Sequence, residues 1–461
     1  MKVLLILVMA AVVFAGVSGC GRTKADFTPV VEVEETVYQY QPADNGAGPM
    51  WAHGNTCIVR YGDIVYASGL ETIKDAKPLN NTRWMLFRRD SSGWQLLMKD
   101  MKDRTREPCP LGIFQDGRLF LSVNPTLTPP DAYNGPSEPR ILQFFARNPM
   151  AAYKTLLPVW DGQPQFTEHS YRSFAVDGPA HEMILFQNIG YTHAEWAFYN
   201  RDGKWANQGR LQWPWGAEYT EPQPIRVCYP AVQLKERAVY FMGVSDIVEP
   251  NKAWKDYKFK LTGRKWDYDF RRLFYTWSSD ITTGRFHDWV EIASREKTAG
   301  HIFPCDLWVA PDGLVHVLWT ERALDERLRE KFFPDEKQSW ALNYAVLDEG
   351  KVVFRKPIMY VEEGEGDLLP GRGRFQVTPD LRLFVFYYVH SRDDLIRENR
   401  IVEINSNRTF SRAVKVELDR PFSSFYTATV RGGSQPSLFL DVLGKDDEPV
   451  MRYARIKLVL Q

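Results

Sequence analysis

One recurring pattern restricts the fold of this chain more than any other feature: two short apolar runs that flank a tight turn. The clearest example is residues 300–319, in which the runs flank Pro311-Asp312-Gly313. Because glycine readily adopts the positive φ that such turns require, this segment predicts a β-hairpin. Comparable turns lie roughly 50 to 77 residues apart along the chain, a spacing that suits a four-stranded unit with loops of variable length. They are centred on Tyr61-Gly62-Asp63, Gln115-Asp116-Gly117, Asp177-Gly178, Lys235-Glu236, Asp312-Gly313, Pro379-Asp380 and Gly432-Gly433.

A second, aromatic-rich strand pair follows most of these hairpins. Its turns are centred on Asp90-Ser91-Ser92-Gly93, Arg201-Asp202-Gly203, Ser278-Ser279-Asp280, Asp348-Glu349-Gly350 and Asn405-Ser406-Asn407. Seven units of two hairpins predict an all-β fold, a seven-bladed β-propeller formed by residues 36–461 as a single domain. We expect residues 36–41 to supply the outer strand that the last unit lacks, which would close the ring and remove two open sheet edges. A six-bladed propeller and two β-sandwich domains are the alternatives.

Composition supports turn-rich β structure and argues against one class of partner. Aromatic residues make up 14% of the chain, and 31 Gly and 29 Pro accompany them, as expected for short strands joined by many turns. The 58 basic residues balance 58 acidic ones, and no long basic run is present, so no nucleic-acid partner is predicted. The links between paired hairpins are long, and such loops commonly carry function. In one of them, residues 324–332 have helix-forming composition.

The N-terminus indicates export and a membrane anchor. Lys2 is followed by an apolar run and then by Val17-Ser18-Gly19-Cys20, which resembles a bacterial lipoprotein signal. The resemblance implies a signal peptide at 1–19, lipidation of Cys20, and a mature protein anchored outside the cytoplasm in the cell envelope. A plain secretory signal and a membrane helix are the alternatives. Gly21 carries no acidic retention signal, which favours the outer membrane or cell surface, and the polar residues 20–35 predict a flexible tether.

Cysteine and metal patterns give less information. Cys57, Cys109, Cys228 and Cys305 remain in a compartment where disulfides persist, and they could pair or stay as buried thiols. No spacing typical of a metal site is present. We therefore predict no metal and no cofactor, with a structural calcium ion in the central channel as the alternative.

One turn carries a resemblance to a known superfamily. Ser278-Ser279-Asp280, with Gly284 and Trp289 following, resembles the Ser-x-Asp-x-Gly-x-x-Trp box of sialidase-like propellers with bacterial neuraminidase (BNR) repeats. In such a box the Asp caps turn amides and the Trp packs between blades, so the box indicates fold rather than activity. The superfamily includes sialidases, propeller glycoside hydrolases and polysaccharide lyases of the ulvan-lyase type. The segment from Glu221 to Arg226 is also similar to segments that precede a carboxylate-binding arginine in such enzymes.

The residues at the start of each first strand form the predicted site, because these positions converge on the central funnel of a propeller. Arginine's planar fork matches a carboxylate or sulfate, while histidine or tyrosine could abstract a sugar-ring proton next to that carboxylate. We therefore predict catalytic residues at His53, His169, His301 and Tyr426. Predicted substrate-binding residues are Arg106, Arg226, Arg372, Arg374, Glu221 and Tyr229.

Other residues support competing interpretations. A hydrolase would need paired carboxylates. Glu71, Asp246 and Glu321 lie where funnel-facing loops begin, and Glu218 and Glu221 precede Arg226. Trp254, Tyr257, Trp266 and Tyr268 share one insertion with several lysines, which could stack on acidic sugars or simply pack the insertion onto the ring. His316 alternates with apolar neighbours and is predicted to be structural.

These observations together predict an envelope lipoprotein that binds an acidic or substituted polysaccharide and degrades it by lyase or glycosidase chemistry. The alternative is a non-catalytic glycan-binding or scaffold propeller of the cell envelope. Its partners would be the glycan and, through Cys20, the membrane.

Overall fold

A computed structural model describes residues 25–461, and the predicted signal peptide and Cys20 lie outside the described residues. Seven sheets of four antiparallel strands are arranged as a seven-bladed β-propeller. This confirms the predicted fold class and excludes the six-bladed and sandwich alternatives. Within the described chain, no helix has the length and apolar character needed to cross a membrane.

The first three blades follow an N-terminal strand, β1 (Phe27–Gln39). Blade 1 contains β2 (Ile58–Tyr61), β3 (Ile64–Thr72), β4 (Thr82–Asp90) and β5 (Gly93–Lys99). Blade 2 contains β6 (Leu111–Ile113), β7 (Arg118–Val123), β8 (Arg140–Phe145) and β9 (Lys154–Leu156). Blade 3 contains β10 (Ser173–Asp177), β11 (Glu182–Ile189), β12 (His193–Tyr199) and β13 (Trp205–Gln212).

Blade 4 carries the largest insertion of the ring. The two-residue strands β14 (Trp215–Gly216) and β15 (Gln223–Pro224) pair just before it. Its first hairpin is β16 (Val227–Lys235) and β17 (Ala238–Ser245), and the link that follows holds β18 (Ile247–Val248), helix α1 (Lys252–Thr262) and β19 (Tyr268–Asp269). The blade ends with β20 (Arg272–Ser278) and β21 (Val290–Ser294), with 3-10 turns at Ile281–Thr283 and Glu296–Thr298.

Blades 5 to 7 complete the ring. Blade 5 contains β22 (Ala299–Val309), β23 (Val315–Leu324), β24 (Ser339–Asp348) and β25 (Lys351–Glu362), with helix α2 (Glu326–Phe332) after β23, where helix-forming composition predicts it. Blade 6 contains β26 (Leu368–Val377), β27 (Leu383–Ser391), β28 (Arg397–Ile404) and β29 (Val414–Val416). Blade 7 contains β30 (Ser424–Thr427), β31 (Phe439–Lys445) and β32 (Val450–Leu460), and β1 pairs with β32 as its outer strand.

The N-terminal strand closes the ring, as predicted for residues 36–41, but it begins earlier than predicted. Strand β1 pairs antiparallel with β32 from Phe27 to Gln39. Residues 27–35, predicted as part of a tether, are therefore part of the propeller. The alternating Val and Glu side chains of this stretch explain the difference, because an alternation of period two gives the strand one face to pack and one face to expose to water.

The centre of the ring is occupied by the connection between β30 and β31, residues 428–438, which we call the central segment. Its backbone accepts hydrogen bonds from Val176 N and Ile113 N, both at 2.8 Å, in blades 3 and 2. Arg431 in this segment is buried, forms an ion pair with Asp306 at 2.5 Å and donates to Gly54 O at 2.8 Å. Gly432-Gly433 is thus not the tight hairpin turn that the sequence predicts, because the two glycines belong to a longer excursion through the channel.

The two faces of the ring have different roles. The short turns within hairpins lie on one face, which we call the turn face, and the links between hairpins and between blades lie on the other, the funnel face. Every first strand therefore starts at the funnel face. The four cysteines Cys57, Cys109, Cys228 and Cys305 are buried near these starts as free thiols, which decides between the two possibilities that the sequence leaves open.

Candidate functional site

Backbone irregularities turn side chains into the funnel in three consecutive blades. The pairing of β16 with β17 shifts between Cys228 and Ala231, which leaves Tyr229 within a bulge. The first strand of blade 6 shifts between Pro370 and Gly373, a stretch that contains Arg372, and β22 shifts next to Cys305. Because a bulge bends the strand and re-aims its side chains, these shifts present residues that a regular strand would place elsewhere.

Tyr229 is the centre of an aromatic cluster on this face. Its ring lies 5.0 Å from that of His53 and 5.3 Å from that of Phe303, measured between centroids. Further contacts of the Tyr229 ring are with Trp51 at 5.7 Å, Tyr171 at 5.2 Å and Phe270 at 6.0 Å. Tyr229 and Tyr171 have φ values of 50° and 40°, a backbone conformation that costs energy for a bulky residue and often marks functional sites.

Two histidines of this cluster are each bound by an arginine in the same way. Arg372 Nη1 lies 2.6 Å from His53 Nδ1, and Arg106 Nη1 lies 2.8 Å from His169 Nδ1. A guanidinium only donates hydrogen bonds, so each Nδ1 accepts and the ring hydrogen is assigned to Nε2. Burial, followed by the neighbouring arginines, lowers the pKa of His169 to about 3 and that of His53 well below its usual value. Both rings are therefore neutral donors through Nε2.

His301 is in a different state, although it belongs to the same cluster. Its ring lies 6.1 Å from Phe270 and 6.4 Å from Phe303, and it pairs across the hairpin with the exposed Arg322. Burial, aided by Arg322 and Arg372, lowers the pKa of His301 to about 4. Within residues 25–461 no side chain hydrogen-bonds to its imidazole, so at neutral pH it retains one nitrogen lone pair for a ligand.

Arg372 and Arg374 bring positive charge to the cluster, and within the described part of the chain neither forms an ion pair with a carboxylate. Arg372 stacks on Phe303 at 3.9 Å from the ring centroid. Burial, together with the charge of Arg374, lowers its pKa to about 10. Arg374 is buried beneath it and donates to the carbonyl oxygens of Cys305 and His53. Arg374 therefore holds the His53 backbone in place, whereas Arg372, which is partly exposed, can reach an anion.

Arg226 is already neutralised by the protein itself. It forms a buried ion pair with Asp246 at 2.6 Å and lies against three tyrosine rings, with its guanidinium carbon 3.9 Å from the centroid of Tyr191. The hydroxyl groups of Tyr191 and Tyr268 are 2.9 Å apart and join the links of blades 3 and 4. The predicted carboxylate-binding role of Arg226 is thus taken by an internal carboxylate, and the arginine instead supports an aromatic wall.

Two further predicted site residues are not brought into the funnel surface. Tyr426 is only 1% exposed, and its hydroxyl donates to Pro49 O and accepts from Ala52 N. Glu221 is exposed in the turn between β14 and β15, and no ion pair joins it to the cluster within residues 25–461. A residue at the start of a first strand is thus not always exposed in the funnel, because a neighbouring link can cover its side chain, as residues 40–57 cover Tyr426.

The carboxylates that a hydrolase would use are engaged elsewhere. Glu71 pairs with Arg83 and Lys99, and the buried Glu321 pairs with Arg295 and Arg355. Glu107 lies beside the cluster, with Oε1 at 4.0 Å from His169 Nδ1. Burial raises its pKa, and it accepts hydrogen bonds from Ser170. These contacts do not form the opposed carboxylate pair that glycosidic hydrolysis requires.

Apart from Tyr229, the aromatic part of the cluster was missed at the level of sequence, although a signal was present. Trp51 lies two residues before His53, and Tyr171 and Phe303 lie two residues after His169 and His301. Side chains two residues apart in an extended chain share a face. An aromatic residue at that spacing from each histidine therefore indicated an aromatic floor beside a polar rim.

A cavity of about 420 Å³ opens beside the cluster. The link at 40–49 lines it together with Arg106, Lys445 and Asp447. Arg106 thus contributes to this cavity while it holds His169. No group of three or more potential metal-ligating side chains occurs within residues 25–461.

Comparisons with known proteins agree with the fold. No family model and no curated protein matches the chain. Among solved structures, the polysaccharide lyase Uly1 is 11% identical with a TM-score of 0.51, and the match covers 95% of this chain and 94% of the lyase. The N-terminal domain of Nup159 is 8% identical with a TM-score of 0.44, covering 95% and 97%. A Trypanosoma rangeli sialidase mutant that displays trans-sialidase activity is 11% identical with a TM-score of 0.40, covering 83% and 59%. Of these three, only the lyase has a TM-score above 0.5, and at 11% identity its likeness shows the fold alone.

Proposed function

We propose that this protein binds an acidic polysaccharide in the funnel and cleaves it by β-elimination. The observation that carries the proposal is the pairing of Arg372, a partly exposed cation that forms no ion pair with a carboxylate within residues 25–461, with the neutral and unbonded imidazole of His301 in one aromatic cluster. An anion is needed to balance the charge of Arg372, and a proton donor suits the free lone pair of His301. A uronate residue supplies both, since its carboxylate acidifies the neighbouring ring hydrogen.

The reaction assigns one role to each of three side chains. Arg372 binds the uronate carboxylate and stabilises the charge that develops on it. His301 removes the proton from the carbon next to that carboxylate, and the electron pair of the broken C–H bond forms the new C=C bond. The bond to the leaving glycosidic oxygen breaks, and Tyr229 donates a proton to that oxygen. Burial raises the pKa of Tyr229 far above neutrality, which keeps its phenol protonated as this role requires.

His53 and His169 serve a different purpose in this proposal. Because an arginine occupies Nδ1 of each ring, they act as hydrogen-bond donors to sugar oxygens through Nε2 rather than as bases. The aromatic wall of Tyr191 and Tyr268 provides faces on which a neighbouring sugar ring can stack. The overlap with polysaccharide lyase Uly1 supports the proposal only to the extent that a propeller of this size is known to carry such an activity.

The location of the protein is part of the proposal. Lipidation of Cys20 would anchor the chain outside the cytoplasm, as the N-terminal sequence indicates. Strand β1 begins at Phe27 on the turn face and reaches the funnel face only at its other end. An anchor attached a few residues before Phe27 would therefore lie on the side of the ring opposite the funnel, which leaves the funnel open to extracellular glycans.

A non-catalytic glycan-binding propeller is the second candidate. The observation that favours it is the state of His53 and His169, since two of the three histidines are held as donors and a site made only of donors binds without reacting. The two candidates differ in one measurable product, the unsaturated sugar that elimination creates.

The experiment measures ultraviolet absorbance after incubation of the protein with polygalacturonate, alginate and hyaluronan, together with release of reducing ends. A lyase produces both signals, a hydrolase only the second, and a binding protein neither. His301→Ala is the test variant, and His390→Ala is the matched control, since His390 lies at the end of β27 on the same face and pairs with Asp394. Absorbance that is unchanged by His301→Ala would contradict the assigned base.

A further inference from the structure

The insertion of blade 4 exposes a basic and apolar surface outside the funnel, which we call the α1 surface. Its cations are all exposed, although the whole chain has equal numbers of basic and acidic residues. They are Lys252, Lys255, Lys260, Arg264 and Lys265. Among them lie Phe259, Leu261 and Trp266, which are 45%, 52% and 69% exposed. The single acidic residue of the helix, Asp256, is paired with Lys252.

Some of the aromatic and basic residues of this insertion pack against the protein instead of facing the solvent. Trp254 and Tyr257 pack on α2, with ring centroids 5.5 Å from Phe333 and 5.6 Å from Phe332. Lys258 is buried and paired with Glu249 at 2.8 Å. The structure thus separates the sequence cluster into a packing side and an exposed side. The packing side accounts for the stability of the insertion, and the exposed side has no such explanation.

Buried ion pairs hold the α1 surface in one position. Glu249 accepts from Arg271 Nη1 and Nη2, both at 2.9 Å, as well as from Lys258. Asn251 caps the start of α1, and Gly263 ends it with φ of 67°. A surface fixed in this way loses little conformational entropy when a ligand binds.

The link that carries the α1 surface leads directly into the funnel. It ends at Trp266, and the next residues of the link are Tyr268, which joins the aromatic wall, and Phe270, whose ring contacts Tyr229 and His301. A polymer seated at His301 can therefore extend along this link onto the helix.

We infer that the α1 surface is a second binding site for the acidic polysaccharide, which holds the part of the chain that extends beyond the funnel. Four of the five cations form no ion pair within the described residues and attract a polyanion, and the exposed indole of Trp266 can stack on a sugar ring. The inference rests on the proposed function for the chemical class of its ligand. An anionic lipid surface would have similar charge, but β1 begins on the opposite face of the ring, so a membrane on the anchor side does not reach α1.

The test compares two charge-reversed variants of the full mature chain. The first carries Lys255→Glu, Lys260→Glu and Lys265→Glu on the α1 surface. The second carries Lys154→Glu, Lys204→Glu and Lys351→Glu, three exposed residues that follow hairpin turns on the turn face and change net charge equally. Each is measured for affinity to long polygalacturonate, for turnover of a short oligogalacturonate that fills only the funnel, and for retention by phosphatidylcholine–phosphatidylglycerol vesicles.

We expect the α1 variant to lose about tenfold in affinity for the long polymer, with a weaker dependence on salt, because clustered charges contribute long-range attraction. Turnover of the short substrate should stay the same, and the turn-face variant should resemble the wild type. Equal losses in both variants, or loss of vesicle retention with unchanged polymer affinity, would overturn the inference. If the α1 variant keeps both its affinity for the polymer and its turnover of the short substrate, only the inference about the α1 surface is overturned. If the wild type neither binds nor cleaves the polymer, the proposed function itself is contradicted.

Discussion

Replacement of Arg372 by methionine is the sharpest test of the proposed chemistry. The substitution keeps an apolar stem against Phe303, which the guanidinium now covers at 3.9 Å, but removes the cation. A charge-assisted hydrogen bond contributes about 1.5 to 3 kcal/mol, and removal of one preorganised donor to a developing oxyanion lowers kcat by about 100- to 1000-fold. We expect kcat/KM on a uronate polymer to fall by a factor in this range, with part of the loss in kcat.

The variant should also change His53. Arg372 donates to His53 Nδ1 at 2.6 Å, and its charge is the second cause, after burial, of the lowered pKa of His53. The pKa of His53 should therefore rise in Arg372→Met but remain below its ordinary value, because the burial persists. An NMR titration of the imidazole resonance measures this shift, and it does so independently of any activity.

Arg392→Met is the matched control. Arg392 is an exposed arginine of the same blade, and it stacks on Trp340 at 4.3 Å outside the cluster. Equal kinetic losses in the two variants would show a general effect of lost charge. An Arg372→Met protein that is folded and fully active would refute the assignment of Arg372 to the substrate carboxylate.

Three further predictions follow from the same contacts. His301→Ala should lower turnover by about 100- to 10,000-fold with polymer binding retained, and in the wild type the acid limb of kcat/KM should lie near pH 4, the pKa of His301. Folding lowers the pKa of His301 from 6.5 to about 4. The stability that neutral His301 contributes is therefore complete above pH 6.5 and is lost as the pH falls towards 4. Urea unfolding at several pH values measures this dependence of stability on pH, which should be weaker in His301→Gln. Tyr191→Ala or Tyr268→Ala should raise KM several-fold while kcat stays near the wild-type value, because each removes a stacking face and not a reacting group; a fall confined to kcat would contradict this role. Arg431→Met should destabilise the protein by about 3 to 5 kcal/mol, since it leaves the Asp306 carboxylate buried without its cation. The double variant Arg431→Met with Asp306→Asn should be less destabilised in chemical denaturation. Equal destabilisation of the two variants would argue against the ion pair as the cause.

Local sequence signals predicted the blades well because each hairpin is specified by its own turn. Turns such as Asp312-Gly313 and Glu349-Gly350 require positive φ, and the structure has it at Gly313, Glu349 and Gly350. Gly432-Gly433 shows where this reasoning fails. The same residues serve the central segment, where Gly433 has φ of 84° and a side chain would collide with Ile113 O, so a close approach between distant parts of the chain looks like a turn in sequence.

The site was only partly predictable from the sequence. The topology of a propeller brings the starts of its first strands together, but it does not determine which side chains form ion pairs or which remain exposed. The starts of first strands correctly marked His53, His169, His301 and Arg372 as neighbours in one cluster. The pairing of Arg226 with Asp246 links residues on two strands, and the burial of Tyr426 depends on the link that covers it. Neither can be read from a local pattern, and the bulges that present Tyr229 and Arg372 leave no clear mark in the sequence.

The central segment also decides how a polymer can use this ring. Ser437 N donates to Val377 O in blade 6, and Val176 N in blade 3 donates to Arg431 O, so the segment ties opposite sides of the channel together. A long glycan therefore cannot thread through the ring as it would through a tunnel. For the proposed reaction, the substrate must therefore enter from the funnel face, and both products must leave from the same face.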